Sequence, residues 1–209
     1  MTRQQIIMTT VVAIVAIAGG ALVAHTVFDR ARSGNASLAV GTILIPPRPL
    51  PEFTLTDQAG APFDLARVKG HWTLMFFGFT HCPDVCPTTL AMLAQVEKMV
   101  AAAPAAVTPQ VVLISVDPER DTPAKLATYV KYFSPTFTGV TGPVAAIDDF
   151  TRALGIPVAR TSLPNGDYTV DHSAAILLFD PQGSMHALFS APHSAELIAA
   201  DYRRIVGEQ

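Results

Sequence analysis

The feature that most constrains this chain is a strand-to-helix turn that holds both of its cysteines. Residues 73–79 form an apolar, aromatic-rich run typical of a buried strand, and residues 88–100 repeat apolar side chains with the period of a helix. Cys82 and Cys86 lie between these two segments, four residues apart. The sequence therefore predicts that both thiols sit on the loop joining a central strand to a helix.

Two prolines indicate how this loop is built. Cys82 and Cys86 each precede a proline, which biases their backbone away from the helical region. Pro87 fits best at the first helical position, so Cys86 is predicted to be the helix N-cap and residues 82–86 a loop. The positive end of a helix dipole lowers the pKa of a nearby thiol, which favours a nucleophile or a metal ligand. The alternatives are a structural disulfide and two inert buried thiols.

The N-terminal segment predicts a membrane anchor. Residues 6–24 are nineteen residues without a charge, a length that spans a bilayer as a helix. A secretory signal has a shorter apolar region and a clear cleavage site, so an uncleaved anchor within residues 1–28 is favoured over a cleaved one. We expect a single pass through a bacterial inner membrane, with the soluble domain in the periplasm.

Composition argues against nucleic acid as a partner and favours a functional role for the two cysteines. The chain has 209 residues, enough for one domain with a real core plus an extension. The formal net charge is −3 and no basic run stands out, so nucleic acid is not an expected partner. Two cysteines are too few for a disulfide framework in an exported domain of this size, which favours a functional role for them.

The order of elements predicts the fold. Residues 29–51 are small, polar and then proline-rich, which predicts an extended linker, and residues 52–209 form the folded domain. Alternating strands and helices followed by a hairpin and a terminal helix predict an α/β thioredoxin-like fold with an insertion. The predicted elements are strand 73–79, helix 88–100, strand 110–116, helix 123–133, strand 137–141, helix 143–154, strands 174–179 and 185–189, and a last helix ending near residue 206.

One histidine is placed near the thiols by this fold. In a thioredoxin-like arrangement the loop that enters the late hairpin packs against the start of the first helix, and here that loop contains His172. Two thiolates from Cys82 and Cys86 with one imidazole make a soft site that suits Cu(I) and can hold Cu(II). Zinc would need a fourth ligand that the sequence does not clearly offer.

Other polar residues leave alternatives open. His172 could simply be hydrogen-bonded at a strand end. His81 competes as a ligand, but neighbouring residues of an extended segment alternate sides, so we expect it to point away from Cys82. Asp84 and Asp117 are expected to cap turns rather than to act at the site.

Four motifs carry a family resemblance, namely residues 78–87, residues 115–123, residues 139–142, and residues 171–173 with residues 180–183. Together they resemble the Sco/SenC family of membrane-anchored, thioredoxin-like proteins of cytochrome c oxidase assembly. The resemblance extends from about residue 53 to the C-terminus. It implies that Cys82, Cys86 and His172 are copper ligands. It also implies that the partner is oxidase subunit II. The dinuclear copper (CuA) site of that subunit would receive the copper, or its cysteines would be reduced.

Two functions remain in competition. A copper chaperone would pass its metal through shared thiolates, with another periplasmic copper chaperone as a further partner. A thiol–disulfide oxidoreductase would use Cys82 and Cys86 as a redox pair, served by a thioredoxin-like reductant. Three residues between the cysteines, where thioredoxin-type reductants have two, and a candidate ligand in His172 favour the chaperone. A peroxidase would need an arginine near the thiolate, which the sequence does not place.

Overall fold

The computed structural model of the chain describes residues 19–20, 38–103, 107–164 and 166–207. The chain divides into two compact units, residues 1–38 and residues 39–209. The strands of the second unit are β1 (Gly41–Pro49), β2 (Thr54–Asp57), β3 (Pro62–Asp64), β4 (Thr73–Gly78), β5 (Gln110–Ser115), β6 (Thr138–Thr141), β7 (Val158–Ser162), β8 (Tyr168–His172), β9 (Ile176–Phe179) and β10 (Ser184–Phe189). Its helices are α1 (Leu65–Val68), α2 (Val85–Ala101), α3 (Pro123–Phe133), α4 (Val144–Leu154) and α5 (Ala195–Gly207).

The β4 strand is the centre of the main sheet. All six of its residues are buried, as expected for an apolar strand covered on both faces. It pairs in parallel with β5 and antiparallel with β9. Within the described residues, the main sheet has the strand order β1-β10-β9-β4-β5-β6-β2-β3. The predicted strand over residues 73–79 is therefore confirmed, and it is the strand that ends at the cysteine loop.

The parallel half of the sheet follows the predicted order. β4, α2, β5, α3 and β6 alternate, and β5 pairs in parallel with both β4 and β6. The α3 helix starts at Pro123, as predicted, and the Thr122 hydroxyl caps it by accepting a hydrogen bond from the Lys125 N–H at 3.3 Å. α2 packs against α5 and α3. The carboxyl ends of β4 and β5 therefore lie side by side at one edge of the sheet.

The predicted late hairpin and terminal helix are also confirmed. β9 and β10 pair antiparallel through a tight turn in which Gly183 has a φ of 81°. The Asp180 carboxylate stabilises this turn by accepting the N–H groups of Gln182 and Ser184 at 3.0 and 2.9 Å. The final helix starts directly after Ser194, whose hydroxyl accepts the Leu197 N–H at 3.3 Å.

The insertion is a separate antiparallel hairpin. β7 and β8 pair only with each other within the described residues, and a turn closed by the Leu163 N–H on the Asp167 carbonyl at 2.7 Å joins them. The two strands were not predicted, because four of the five β7 residues are exposed and show no buried alternation. The last residue of β8 is His172, so this hairpin carries the predicted ligand.

The proline-rich segment differs from the prediction. Residues 41–49 were predicted to be part of an extended linker, but the structure pairs β1 antiparallel with β10 at the edge of the main sheet. Prolines are tolerated there because an edge strand has N–H groups that need no partner. The register shifts between Ile43 and Arg48. This part of the predicted linker therefore belongs to the folded unit, while the boundaries at residues 28 and 52 stay predictions.

The predicted membrane anchor lies almost entirely outside the described residues. Of residues 6–24, the structure describes only Gly19 and Gly20. In the part of the chain that is described, no helix is both long and apolar enough to cross a bilayer.

Candidate metal centre

The cysteine loop is shorter than predicted, because α2 starts at Val85 rather than after Cys86. Asp84 occupies the N-cap position and makes no side-chain capping hydrogen bond, so the prediction of Cys86 as N-cap is wrong. Pro87 fits inside the first turn because the N–H groups of that turn have no partner within the helix. Cys86 therefore lies in the first turn, where its N–H donates to the Cys82 sulfur at 3.4 Å.

A buried carboxylate fixes the start of this loop. Asp121 is fully buried and accepts hydrogen bonds from the Thr80 N–H at 2.9 Å and the Thr80 hydroxyl at 2.5 Å. It also accepts the Ser115 hydroxyl at 2.7 Å, at the end of β5. Asp121 thus joins the ends of the two neighbouring strands β4 and β5. The sequence contains Asp121 in one of its motifs, but the pattern alone did not indicate this role.

The structure brings His172 to the thiols, as the sequence predicted. Nε2 of His172 lies 3.3 Å from Sγ of Cys86, across 86 residues of sequence. One ligand atom each from Cys82, Cys86 and His172 can be chosen so that all three lie within 4.8 Å of one another. The imidazole makes edge contacts with Phe76 and Phe79, at ring-centroid distances of 6.0 and 5.8 Å. These two aromatic rings therefore limit how far the imidazole can rotate.

The tautomer of His172 leaves Nε2 available as a metal ligand. Nδ1 lies 3.0 Å from the carbonyl oxygen of Ser173. A carbonyl only accepts, so Nδ1 carries the proton and donates it. Nε2 then presents its lone pair to the Cys86 sulfur. A second hydrogen bond of this kind orients most histidines that ligate metals.

Burial decides the protonation of the buried thiol. It raises the pKa of Cys86 above the ordinary value, and the Cys82 sulfur and the Asp121 carboxylate act in the same direction, although a hydrogen bond with the Phe79 backbone opposes them. The prediction of a lowered thiol pKa is therefore wrong for Cys86, because loss of water around the sulfur outweighs the helix dipole. Near neutral pH this thiol keeps its proton until a metal displaces it.

Burial acts in the opposite direction on the imidazole. It lowers the pKa of His172 below the ordinary value, while the hydrogen bond to Ser173 and the charge of Asp171 oppose the shift. The ring is therefore neutral near pH 7, the form that binds a metal.

The space for the Cys86 sulfur depends on a glycine. A Cβ at position 78 would lie 2.8 Å from the Cys86 sulfur and 3.0 Å from a ring carbon of Phe76. The contact with the sulfur is closer than packed atoms tolerate, and the contact with the ring is tighter than usual. Gly78, the last residue of β4, therefore allows the start of α2 to lie directly against the strand.

The donor set fits a soft metal ion. Bonds of about 2.0–2.3 Å to one ion place three trigonal ligand atoms about 3.5–4.0 Å apart. The three atoms here all lie within 4.8 Å of one another. Two sulfurs and one imidazole suit copper in particular. His81 belongs to a different group, with Asp117 and Asp121, and its Nδ1 lies 3.1 Å from the Thr80 hydroxyl.

The site opens to the surface on one side. A groove of about 340 Å³ is lined by both the cysteine loop and β8. Cys82 and His172 belong to its lining, but Cys86 does not. Cys82 is 9% exposed and Cys86 fully buried. A molecule in the groove therefore meets Cys82 and the imidazole first.

Sequence reasoning missed a buried polar cluster beside the site. Asp117, which was expected to cap a turn, is fully buried and is bound by Arg120 and by the Tyr168 hydroxyl. Arg120 also binds Asp167 at 3.1 Å. Asp117 and Arg120 are three residues apart directly after β5, and this spacing could have indicated an ion pair. Nothing in the sequence indicated that their partners lie in the β7–β8 turn.

Comparison with known proteins matches the chain to one family and to named relatives. The model of the family described as SCO1/SenC matches residues 46–207. The mitochondrial SCO2 homologue of Bos taurus is 41% identical over 154 residues, which cover 73% of this chain and 58% of that protein. The matched part is therefore less than two thirds of that relative.

Two solved structures with copper bound are similar to the chain. ScoI of Bradyrhizobium japonicum is 38% identical with a TM-score of 0.67, over 75% of this chain and 98% of that one. ScoI of Arabidopsis thaliana is 31% identical with a TM-score of 0.73. The match covers 76% of this chain and 98% of that one. These similarities confirm the predicted α/β thioredoxin-like fold.

Proposed function

The chain belongs to the SCO1/SenC family, and from this we propose that it binds one copper ion through Cys82, Cys86 and His172 and delivers it during cytochrome c oxidase assembly. The observation that carries the proposal is the convergence of two sulfurs and one ring nitrogen of His172 within 4.8 Å, with Nε2 of His172 at 3.3 Å from the Cys86 sulfur. These atoms come from a loop, a helix and a separate hairpin.

The chemistry of the donors supports copper over zinc. Thiolates favour Cu(I), and an added imidazole allows the same site to hold Cu(II). A closed zinc site would use four ligands. Among the described residues, no fourth cysteine, histidine or acidic group joins Cys82, Cys86 and His172 in their cluster.

The exposure of the ligands supports delivery by ligand exchange. Copper is the cargo, so it has to leave from the side that an acceptor can reach. A thiolate of the acceptor enters the groove and bonds to the ion as the bond to Cys82 breaks, while the buried Cys86 stays bound until last. The exchange leaves the oxidation state of copper unchanged. The acceptor we propose is the CuA site of oxidase subunit II.

One observation favours a second candidate, a thiol–disulfide reductase. The sulfurs of Cys82 and Cys86 lie within 4.8 Å of each other, so a shift of the cysteine loop can bring them to disulfide distance. The Cys82 thiolate would attack a partner disulfide and release one partner thiolate. Cys86 would then lose its proton and attack the Cys82 sulfur, releasing the second partner thiolate. This two-electron exchange needs no ligand at position 172.

The N-terminal part of the proposal rests on the sequence. We propose that residues 1–28 anchor the protein in a bacterial inner membrane, residues 29–51 lead away from it, and residues 52–209 contain the copper-binding domain in the periplasm. The uncharged stretch of residues 6–24 supports the anchor.

Copper titration of the reduced full-length chain tests the proposal. We expect about one Cu(I) per chain, with weaker Cu(I) binding in Cys82→Ala and Cys86→Ala and a smaller effect in His172→Ala. Cu(II) binding should be lost in each variant, because each removes one of three ligands. His71→Ala is the matched control, since His71 is an exposed histidine outside the cluster, and its affinity should equal that of the unsubstituted chain.

The same variants separate the two candidates. If His172→Ala binds Cu(II) as the unsubstituted chain does, the proposed ligand set is wrong. If that variant also reduces a disulfide substrate as fast as the unsubstituted chain does, while Cys82→Ala and Cys86→Ala do not reduce it, the reductase becomes the better description. A chain that binds no copper in the reduced state would exclude the copper function altogether.

A further inference from the structure

The hairpin that carries His172 is not held by the main sheet. β7 and β8 pair only with each other among the described strands. Most residues of β7 are exposed, and only Val170 in β8 is buried. Strand pairing and apolar burial therefore do little to fix where this hairpin lies, and another interaction has to set the position of its last residue.

Among the side chains outside the hairpin, Arg120 makes three of the contacts that join the hairpin to the rest of the domain. Nη1 of Arg120, in the loop after β5, donates to the Asp167 carboxylate at 3.1 Å and to the Tyr168 carbonyl at 3.0 Å. Its guanidinium lies 3.8 Å from the centre of the Tyr168 ring. Arg120 thus binds the start of β8 through a carboxylate, a carbonyl and an aromatic face.

A buried carboxylate orients this arginine. Asp117 is fully buried, accepts the Nε–H of Arg120, and accepts the Tyr168 hydroxyl at 2.6 Å. Charge-assisted hydrogen bonds in a buried setting are strong and directional. Asp117 and Arg120 together therefore form a rigid support on the end of β5, and the start of β8 is bound to both.

The same arginine is connected to the imidazole through one ring. The Arg120 guanidinium lies 5.8 Å from the centre of the Phe79 ring, and the Phe79 ring lies 5.8 Å from the His172 ring. Phe79 therefore packs between the supporting arginine and the candidate ligand, directly before the cysteine loop. Displacement of Arg120 would release both the hairpin and this ring.

From these contacts we propose that Arg120, oriented by Asp117, is a positioning residue that fixes the β7–β8 hairpin and thereby holds His172 against Cys86. The inference rests on the proposed function only where copper is concerned. Arg120 does not touch the metal. It determines whether the imidazole is already in place when the metal arrives.

The consequence differs between the two oxidation states of copper. Cu(I) can be held by two thiolates alone, and both come from the cysteine loop. Cu(II) requires the nitrogen ligand as well, so its binding depends on the hairpin. Loss of the support should therefore weaken Cu(II) binding by about 10–100-fold, as loss of an outer partner of a metal ligand does, and change Cu(I) binding by less than about threefold.

The first test needs no metal. Hydrogen exchange of the reduced, metal-free full-length chain is compared between the unsubstituted chain, Arg120→Met and Arg120→Lys. Arg120→Lys keeps a positive charge for Asp117, which guards against unfolding, but an ammonium cannot bind all three acceptors and stack on Tyr168. We expect exchange of the β7–β8 amides to rise about tenfold, with β4 amides unchanged.

The second test is copper titration of the same variants in each oxidation state, with the Cu(II)–thiolate absorption band as a further readout. The matched control is Arg152→Met. Arg152 also pairs with an aspartate three residues earlier, Asp149, but this pair is exposed on α4. The control should bind both forms of copper as the unsubstituted chain does.

The outcomes separate this inference from the proposed function. Faster hairpin exchange together with a selective loss of Cu(II) affinity and an altered absorption band supports it. Unchanged hairpin exchange in Arg120→Lys overturns it, as does an equal loss of Cu(I) and Cu(II) affinity. If the unsubstituted chain binds no copper, the proposed function fails, and hydrogen exchange alone then decides the role of Arg120.

Discussion

Nε2 of His172 lies 3.3 Å from the sulfur of Cys86, although the two residues are 86 positions apart in the chain. One lies at the end of a peripheral hairpin, and the other in the first turn of a helix that follows the central strand. The contact exists only when the hairpin and the cysteine loop are both docked. Metal binding at this site is therefore expected to stabilise the docked arrangement.

Gly78→Ala should disturb the site without replacing any of the proposed ligands. The added Cβ would meet the Cys86 sulfur at 2.8 Å, so the start of α2 has to move away from β4. We expect the free energy of unfolding to fall by about 1–3 kcal/mol, as in other overpacked cores. Copper affinity should fall as well. Denaturant unfolding and copper titration measure the two effects.

The matched control for that substitution is Gly207→Ala. An added Cβ at residue 207, in the last turn of α5, would meet nothing within 4 Å. Its stability and copper affinity should both be unchanged. Full retention of both properties in Gly78→Ala would show that the cysteine loop has more freedom than the structure indicates.

Copper affinity should rise with pH. The pKa of Cys86 is raised by burial, so below that pKa the metal has to displace the thiol proton. The pKa of His172 is lowered by burial, so protonation of the imidazole does not compete near neutral pH. We expect at least one proton to be released per Cu(I), and the apparent dissociation constant to fall about tenfold per pH unit for each proton.

Titration calorimetry between pH 6 and pH 8, in buffers of different ionisation enthalpy, measures this release. An affinity that does not change over this range, with no proton released, would mean that Cys86 is already a thiolate in the metal-free chain.

Oxidation of Cys82 and Cys86 should abolish copper binding. Both cysteines are free in the structure, and their sulfurs belong to one cluster of ligand atoms. A disulfide removes both thiolates, which leaves only His172 of the three proposed ligands. We expect binding to be lost after treatment with a thiol oxidant and restored by a reductant. Retained tight binding in the oxidised chain would place the metal elsewhere.

Asp201 should be important for stability and not for copper. Its buried carboxylate accepts the N–H groups of Ala39, Val40 and Gly41 at 2.8, 2.8 and 2.9 Å, which attaches the start of β1 to α5. Asp201→Asn replaces one acceptor oxygen by a donor. We expect the free energy of unfolding to fall by about 1–3 kcal/mol, with copper affinity unchanged.

Asp149→Asn is the control for Asp201→Asn. Asp149 is exposed and pairs only at the surface with Arg152, so its substitution should change stability by less than about 0.5 kcal/mol. Equal effects of the two substitutions in denaturant unfolding would contradict the role of Asp201.

The sequence was most informative where local chemistry fixes local structure. Strand β4 and helix α3 have the predicted positions, because an apolar run and a Thr122–Pro123 start are recognisable without tertiary contacts. The start of α2 was misplaced by two residues, because proline is tolerated throughout the first helical turn and not only at its first position. The edge strand β1 was missed, because its partner β10 lies far away in sequence.

The sequence alone determined the residue types of the site and the kind of chain they belong to: two thiols at a strand-to-helix turn, one late histidine, and the motifs of a known family. Only the tertiary structure decided their chemical state and support. Burial keeps the Cys86 thiol protonated against the helix dipole, and Arg120 and Asp117 bind the hairpin that carries His172. Both depend on which distant side chains exclude water or donate hydrogen bonds, and no local pattern in the chain records this.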